Sequence, residues 1–315
     1  MIAYVVRRLL STFVVMAVVA FVVFSLLYLT PGDPAAIIAG DIATSEDIKR
    51  IHERLGLDGP FLVQFGRWVG ALSHGDLGTS IFTNLPVTQL IGQRVEPTLS
   101  LTLCTLVVAI AVAVPLGVVA AAKAGTWFDR AVMAFSVLGF SIPVFVLAYG
   151  LILTFSIQLD WLPVQGYRPF DEGVWQWLRH LILPSIALGT VYVALIARMT
   201  RASMLDVLAQ DYVRTAQAKG LAPDQVLLRH ALKNAAIPIV TIIGIGVALL
   251  ISGAIVTETV FALPGIGRLT VDAILRRDYP IIQGVTLLFS AIYVLVNLAV
   301  DLSYALFDPR IRYSR

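Results

Sequence analysis

Residues 211–235, DYVRTAQAKGLAPDQVLLRHALKNA, form a polar, alanine-rich stretch in a chain that is otherwise strongly apolar. Asp211 is a suitable N-cap, the alanines after it favour a helix, and Gly220 is typical of a helix C-terminus. Pro223 suits the first position of a further helix. The stretch therefore predicts two helices joined by a tight turn at Gly220, with apolar segments before and after them.

The composition of the whole chain is that of a membrane protein. Of its 315 residues, 58% are hydrophobic and only 14% are charged, and the mean hydropathy is +0.86. Soluble domains carry charge on about 25% of their residues. The formal net charge of +3 is too small to indicate a nucleic-acid partner. The single cysteine, Cys104, lies in an apolar run, so we expect a buried thiol and no intramolecular disulfide.

Six uncharged apolar runs are long enough, or nearly so, for a membrane span, which takes about 20 residues. They cover residues 9–29, 98–122, 131–159, 181–197, 234–257 and 279–300. The third run is long and contains Pro143, where we expect a kink. The fourth is short unless His180 or Arg198 reaches the interface. We predict six transmembrane helices, the first of them retained because its run is longer than that of a signal peptide.

Basic residues beside the spans indicate the orientation. With the N-terminus inside, residues 1–8, 123–130, 198–233 and 301–315 are cytoplasmic and hold 13 Lys and Arg against 6 Asp and Glu. The opposite side holds 10 against 14. We therefore expect both termini, and the polar stretch 211–235, on the cytoplasmic side of the cytoplasmic (inner) membrane.

Residues 30–97 form the largest segment on the opposite side, and two helices are predicted in it. The first begins at a capping hydroxyl, Thr44 or Ser45, and stops at Gly56. The second follows Pro60 and is amphipathic, which suits the membrane interface. The sequence thus predicts an extracytoplasmic helical insertion between the first two spans.

The sequence lacks the motifs of nucleotide and metal chemistry. It contains no GxxxxGK[ST] phosphate loop, and its four histidines are scattered. The predicted spans contain no Asp, Glu, Lys or Arg, which argues against a proton-coupled transporter and leaves sodium coupling through backbone carbonyls open. Glu258, at the outer end of the fifth span, is expected to be a solvated boundary residue.

An intramembrane serine protease is the alternative from the enzyme class. Ser252 lies in the fifth span, and His180 lies at the outer edge of the fourth. A nucleophile needs its base within hydrogen-bond reach. The sequence positions of these two residues give a poor geometry for that, so we expect no catalytic residue in this chain.

The run RASMLDVLAQDYVRTAQAKGL, residues 201–221, resembles the EAA-loop region of ABC importer permeases in the form found in dipeptide and oligopeptide permeases. The resemblance extends over essentially the whole chain. It includes YVVRRLL, LTPGDPA, LPVTQLIGQRVEPTLSLTL, AIVTETVFALPGIGRL and VDLSYALFDPRIR. It implies an all-α membrane protein with six transmembrane helices and the type I ABC importer permease fold.

The same resemblance implies a transmembrane half of an ATP-driven importer of di- or oligopeptides, without a cofactor or metal of its own. The implied partners are a second homologous permease chain, two ATP-binding subunits that hold ATP and Mg, and an extracytoplasmic peptide-binding protein. Similar permeases carry nickel chelates, glutathione and other small solutes, which is the alternative for the cargo. Residues 1–97 would form the first helix and the insertion, and residues 98–315 a five-helix core with the coupling loop 198–233.

Three groups of site residues follow from this resemblance and from the residue types. The first, which matches the helix that docks on the ATPase, is Asp211, Tyr212, Arg214, Thr215, Ala216, Ala218, Lys219 and Gly220. Arg214 stands where the family has the glutamate that names the loop, so a role of that glutamate does not carry over. The second group, for receptor docking, is Phe61, Phe65, Trp68, Pro264, Gly265 and Gly267. The third, for the translocation path, is Ser252, Glu258, Gln283 and Asn297.

Overall fold

The computed structural model describes residues 2–29, 34–39, 44–55 and 59–307, and in these residues the chain is helical. Within them it has one isolated β-bridge, between Thr79 and Pro86, and no strand. The α-helices are α1 Ile2–Leu29, α2 Pro34–Ala39, α3 Ser45–Leu55, α4 Phe61–Ser73, α5 Val87–Ala122, α6 Trp127–Ser141, α7 Val144–Leu151, α8 Val174–Leu208, α9 Asp211–Ala218, α10 Pro223–Gln225, α11 Leu232–Val260, α12 Ile266–Arg276 and α13 Tyr279–Phe307. The predicted all-α class is confirmed.

Five helices in the described part of the chain are long and apolar enough to cross a membrane. These crossings cover Leu10–Leu29, Val87–Ala122, Val174–Leu208, Pro223–Val247 and Tyr279–Asp301. Helix α7 continues into a π-helix at Ile152–Gln158. If α6 and this extended α7 are counted as one span bent by 101°, they form a sixth crossing. The bend lies at Pro143, which caps α7, because a proline disfavours helical backbone in the residue before it. The break is sharper than the predicted kink.

Two helices extend well beyond their apolar runs. Helix α8 has 35 residues and continues past both His180 and Arg198, so the short fourth run is part of a longer helix. Helix α5 begins at Val87, where Val87, Leu90 and Ile91 give it a buried face before the apolar run starts. The length of the apolar run alone therefore underestimates the length of both helices.

The chain divides into two compact units. One comprises Met1–Glu96 with Gly265–Val294, and the other Pro97–Pro264 with Leu295–Arg315. In the first unit, α4 packs on α1 through aromatic rings: the centroid of Phe24 lies 5.5 Å from that of Phe61, 5.4 Å from that of Phe65 and 5.2 Å from that of Trp68. The start of α5 packs against α12 and α13 in a separate apolar cluster of the same unit.

Helix α3 begins with a reciprocal cap. The Thr44 hydroxyl donates to the Asp47 carboxylate over 2.6 Å, and the Asp47 backbone N–H donates to Thr44 Oγ1 over 3.3 Å. The bond from Thr44 lowers the pKa of the Asp47 carboxyl. Thr44 rather than Ser45 is therefore the cap, whereas the predicted stop at Gly56 lies outside the described residues.

Helix α8 is the central element of the second unit and packs against α6, α7 and α11. Its buried residues Leu188, Tyr192 and Ile196 belong to one apolar core with Leu101 of α5 and Leu250 of α11. Cys104 is half-buried at the edge of this core rather than fully buried as predicted.

Helices α5 and α8 approach each other closely at Gly117. A Cβ atom added there would lie 2.6 Å from Thr200 Cβ and 2.7 Å from the backbone oxygen of Ala197. Since a backbone oxygen cannot turn away as a side chain does, the two helices depend on glycine at this position.

We predict that Gly117→Ala lowers the thermal unfolding midpoint of the detergent-solubilised transporter. The added methyl group overpacks the contact, which typically costs about 1–3 kcal/mol. Gly150→Ala is the matched control, because Gly150 is also helical and has no atom within 4 Å of its added Cβ. That change should leave the midpoint unchanged or raise it, since alanine favours a helix by about 1 kcal/mol over glycine. Equal midpoints for the two variants would contradict the close approach.

Candidate functional site around helix α9

Helix α9 starts one residue earlier than the predicted cap implies. Gln210 occupies the N-cap position, and no side chain caps the helix there. Asp211 is the first helical residue, where its negative charge suits the positive end of the helix dipole. It accepts a hydrogen bond of 3.4 Å from Arg214 Nη1, on the exposed side of the helix. The predicted capping role of Asp211 is therefore wrong, but its place in the first turn is favourable.

The eight residues of α9 present two different faces. Val213 is fully buried and Ala216 is 7% exposed, and both pack in a small apolar cluster with Val207, Leu208 and Val226. The opposite side is exposed and carries the remaining predicted docking residues, Asp211, Tyr212, Arg214, Thr215, Ala218 and Lys219. Ala216 was expected to face a partner, and this is wrong because it packs within the chain itself.

The predicted tight turn at Gly220 is confirmed. Gly220 has φ +77°, a conformation that residues with a side chain adopt with strain, and its N–H donates to Gln217 O over 2.9 Å. An added Cβ would meet no atom within 4 Å, so the requirement for glycine is conformational and not steric. Pro223 is the first residue of α10, as predicted.

A second apolar cluster connects this region to the long helices. Met204 of α8 packs with Val118 and Ala121 of α5 and with Ala235 and Ile239 of α11. A π-helix at Val226–Ala231 lies between α10 and α11. Its first residue, Val226, packs in the apolar cluster with Val213 and Ala216 of α9. Its last residue, Ala231, packs in the cluster that contains Met204. Helix α9 is thus seated on the end of α8 and on the segment that leads into α11.

An ion pair near this region was not predicted from the sequence. Arg201 on α8 donates through Nη2 to Asp129 Oδ2 over 2.7 Å and through Nε to Oδ1. The Gly125 backbone N–H also donates to Asp129 Oδ2, over 2.9 Å. The carboxylate therefore fixes the turn before α6 to the part of α8 that precedes α9. The TWFD pattern at residues 126–129 is a helix-start signal, but it does not reveal a partner 72 positions later.

The residues predicted for a translocation path are found in unlike surroundings. Glu258 is fully buried and accepts a hydrogen bond of 2.6 Å from the Thr98 hydroxyl, so the expectation of a solvated boundary residue is wrong. Gln283 is buried in the first unit, and Asn297 is half-buried in the second. Ser252 lies in α11, and its side chain is outside the described part of the structure.

The residues predicted for receptor docking are mostly turned inward. Phe61, Phe65 and Trp68 form the aromatic contact with α1, while Gly265 and Gly267 are buried and Pro264 is exposed. The exposed residues of α4 include the apolar Leu62, Val63 and Val69, together with Arg67. Within the described residues no group of three His, Cys, Asp or Glu side chains is placed to hold a metal ion.

Comparison with known proteins gives matches along almost the whole chain. Residues 113–313 match the family described as binding-protein-dependent transport system inner membrane component, and residues 1–102 match the N-terminal membrane component of the same systems. A probable peptide ABC transporter permease protein of Sinorhizobium fredii is 55% identical over 310 residues, covering 98% of this chain and 99% of the relative.

Two further relatives also match almost the whole chain, and one solved structure has a similar fold. A dipeptide transport system permease of Alkalihalophilus pseudofirmus and a glutathione transport system permease of Escherichia coli are each 44% identical, covering 99% of this chain and 100% of the relative. The fold is similar to a chain of the inward-facing MetNI methionine ABC transporter, with a TM-score of 0.58 at 18% identity, over 70% of this chain and 97% of that one.

We predict that Asp129→Asn lowers the unfolding midpoint of the solubilised transporter, because it removes the charge that pairs with the partly buried Arg201 guanidinium. Hydrogen bonds to charged groups contribute about 1.5–3 kcal/mol. Asp206→Asn, an exposed acid on the same stretch of α8, is the control and should leave the midpoint unchanged. The double variant Asp129→Asn/Arg201→Gln should lose less than the two single variants combined. Additive losses would show that the pair does not act as a unit.

Proposed function

This chain belongs to the binding-protein-dependent transport system inner membrane components, and we propose that it is a permease subunit of an ATP-driven importer of di- or oligopeptides. The relatives described as peptide and dipeptide permeases, similar over their whole length, support this cargo. The similarity to a glutathione permease supports the alternative, a permease of the same family for glutathione or another small solute.

We propose further that α9 lies on the cytoplasmic side, with both termini, and docks on an ATP-binding subunit. The distribution of basic residues supports this orientation. A second homologous permease chain would complete the channel, two ATP-binding subunits would carry ATP and Mg, and a peptide-binding protein would dock on the opposite side. ATP hydrolysis then belongs to those subunits and not to this chain.

The observation that carries the coupling role is the division of α9 into a buried and an exposed face. A helix of eight residues is too short to be stable alone in water. Burial of Val213 and Ala216 holds it on the rest of the chain, and full burial of a valine side chain contributes about 1.5–3 kcal/mol. The exposed face is thereby left available to a groove in a partner protein.

Movement of α9 would reach the long helices through the two apolar clusters. Val213 and Ala216 transmit it to the end of α8 through Val207 and Leu208, and to the segment before α11 through Val226. Since α8 is the central helix of its unit, a displacement of its end moves the helices packed on it. Closure of the ATPases around ATP would in this way bias the permease between two states, which is the requirement for allosteric coupling.

We also propose functions for the surfaces on the other side of the membrane. Helix α4 and the segment Pro264–Gly267 would receive the peptide-binding protein, with Phe61, Phe65 and Trp68 holding α4 in place on α1. Glu258, Gln283, Asn297 and Ser252 remain the proposed polar residues of the translocation path. Because Glu258 is fully buried in this chain, it would meet cargo only after the helices around it rearrange.

We predict that Thr215→Trp and Ala218→Trp each reduce copurification of the ATP-binding subunits at least tenfold and abolish peptide uptake. Both positions are on the exposed face, so the indole blocks docking without disturbing the cluster beneath. Thr215→Ser and Ala218→Ser are the matched controls and should retain assembly. The unfolding midpoint of the permease should be the same in all four variants. Normal copurification and uptake in both tryptophan variants would contradict the docking role of this face.

A further inference from the structure

The first unit contains a partly open cavity of about 250 Å³, which no residue of α9 lines. It lies among α1, α3, α4, the loop after α4 and the start of α13. The size is slightly below the roughly 300–1,000 Å³ of pockets for drug-sized ligands. A molecule the size of an amino acid or a dipeptide suits it, and a long peptide does not.

The cavity is lined by one acidic and one basic side chain from different helices. Glu53 comes from α3 and Arg67 from α4, and both are exposed at the cavity rim. The ion pairs formed in the described part of the chain involve neither of them. A carboxylate and a guanidinium that share a cavity without pairing can each bind an opposite charge on a ligand.

The interior of the same cavity combines amides with aromatic rings. Gln64 is 5% exposed and Gln283 is 7% exposed, although glutamine is rarely buried. Gln64 is held by a hydrogen bond of 2.8 Å from its Nε2 to Gly59 O. Phe24 and Trp68, whose centroids are 5.2 Å apart, supply the apolar wall. An amide side chain can both donate to and accept from a peptide bond.

We propose that this cavity binds a small zwitterion, a free amino acid or a dipeptide, on the permease itself. Arg67 binds the ligand carboxylate, for which its planar fork is suited, and Glu53 binds the ligand ammonium group. When the ligand is a dipeptide, Gln283 pairs with the peptide bond between these two groups. This gives the buried Gln283 a ligand-binding role within one unit of the chain, and the inference rests on the proposed function as a peptide permease.

The test is equilibrium binding of radiolabelled L-alanyl-L-alanine to the complete transporter in phosphatidylcholine nanodiscs, without the peptide-binding protein. N-acetyl-dialanine lacks the ammonium group and dialanine amide lacks the carboxylate. Each should bind the wild-type transporter at least tenfold more weakly than dialanine. Equal binding of all three ligands, or no binding of dialanine, would overturn the proposal.

Two variants test which residue binds the ammonium group of the ligand and which binds its carboxylate. Glu53→Gln should bind dialanine and N-acetyl-dialanine with similar affinity, and Arg67→Gln should bind dialanine and dialanine amide with similar affinity. Glu46→Gln and Arg50→Gln are the controls, since these α3 residues pair with each other over 3.7 Å and do not line the cavity. The controls should keep the wild-type preferences. Full preference retained in Glu53→Gln and Arg67→Gln would place the binding site elsewhere.

Two further measurements are needed. One distinguishes a dipeptide from a lipid as the occupant of the cavity, and the other distinguishes failure of the cavity proposal from failure of the proposed function. A phosphatidylethanolamine headgroup carries the same ammonium and anion pair, so nanodiscs containing it test whether lipid is the occupant. We expect unchanged dialanine binding in them, and its loss would assign the cavity to lipid. A second measurement, receptor-dependent peptide uptake, is made in parallel and should be normal in the wild type. Normal uptake without selective dialanine binding would overturn only the cavity proposal, whereas absent peptide uptake would overturn the proposed function.

Discussion

The burial of Val213 and Ala216, on the inward face of α9, is the contact on which coupling depends. A helix of eight residues projecting from a membrane bundle has too few internal hydrogen bonds to persist alone, so its position comes from the cluster it shares with α8 and with the start of the segment leading to α11. The exposed face of α9 is available to a partner because the opposite face is packed against α8 and the segment before α11. Any partner that moves α9 must therefore also move the end of α8 and the segment that leads into α11.

The ion pair between Asp129 and Arg201 adds a polar constraint close to these apolar contacts. It joins the turn before α6 to α8, one side of the pair being almost fully buried. Charged groups removed from water are costly unless paired and hydrogen-bonded, and here each carboxylate oxygen has a donor. The part of α8 that carries α9 is thus fixed from both the α5 side, through Gly117, and the α6 side.

The apolar runs, the prolines and the glycines predicted the helices and the turn of this fold well, because these features act within a few residues. Pro143, Gly220 and Pro223 each have a local conformational effect that a sequence displays directly. The direction in which a side chain points depends on distant partners. For that reason Ala216, the buried Glu258, the pair of Asp129 with Arg201 and the aromatic contact of Trp68 with α1 were missed or misjudged.

Coupling through this cluster requires that α9 move as one body with the end of α8 and with the segment that leads into α11, and a cross-link within the chain can test this. In a Cys104→Ser background, cysteines at Val213 and Val226, which share the buried cluster, are joined by a short bifunctional thiol reagent in the assembled transporter. We expect peptide uptake and peptide-stimulated ATP hydrolysis both to continue after cross-linking, because α9 and the segment that leads into α11 need no relative movement at this contact. Loss of both activities, restored by cleaving the reagent, would contradict it.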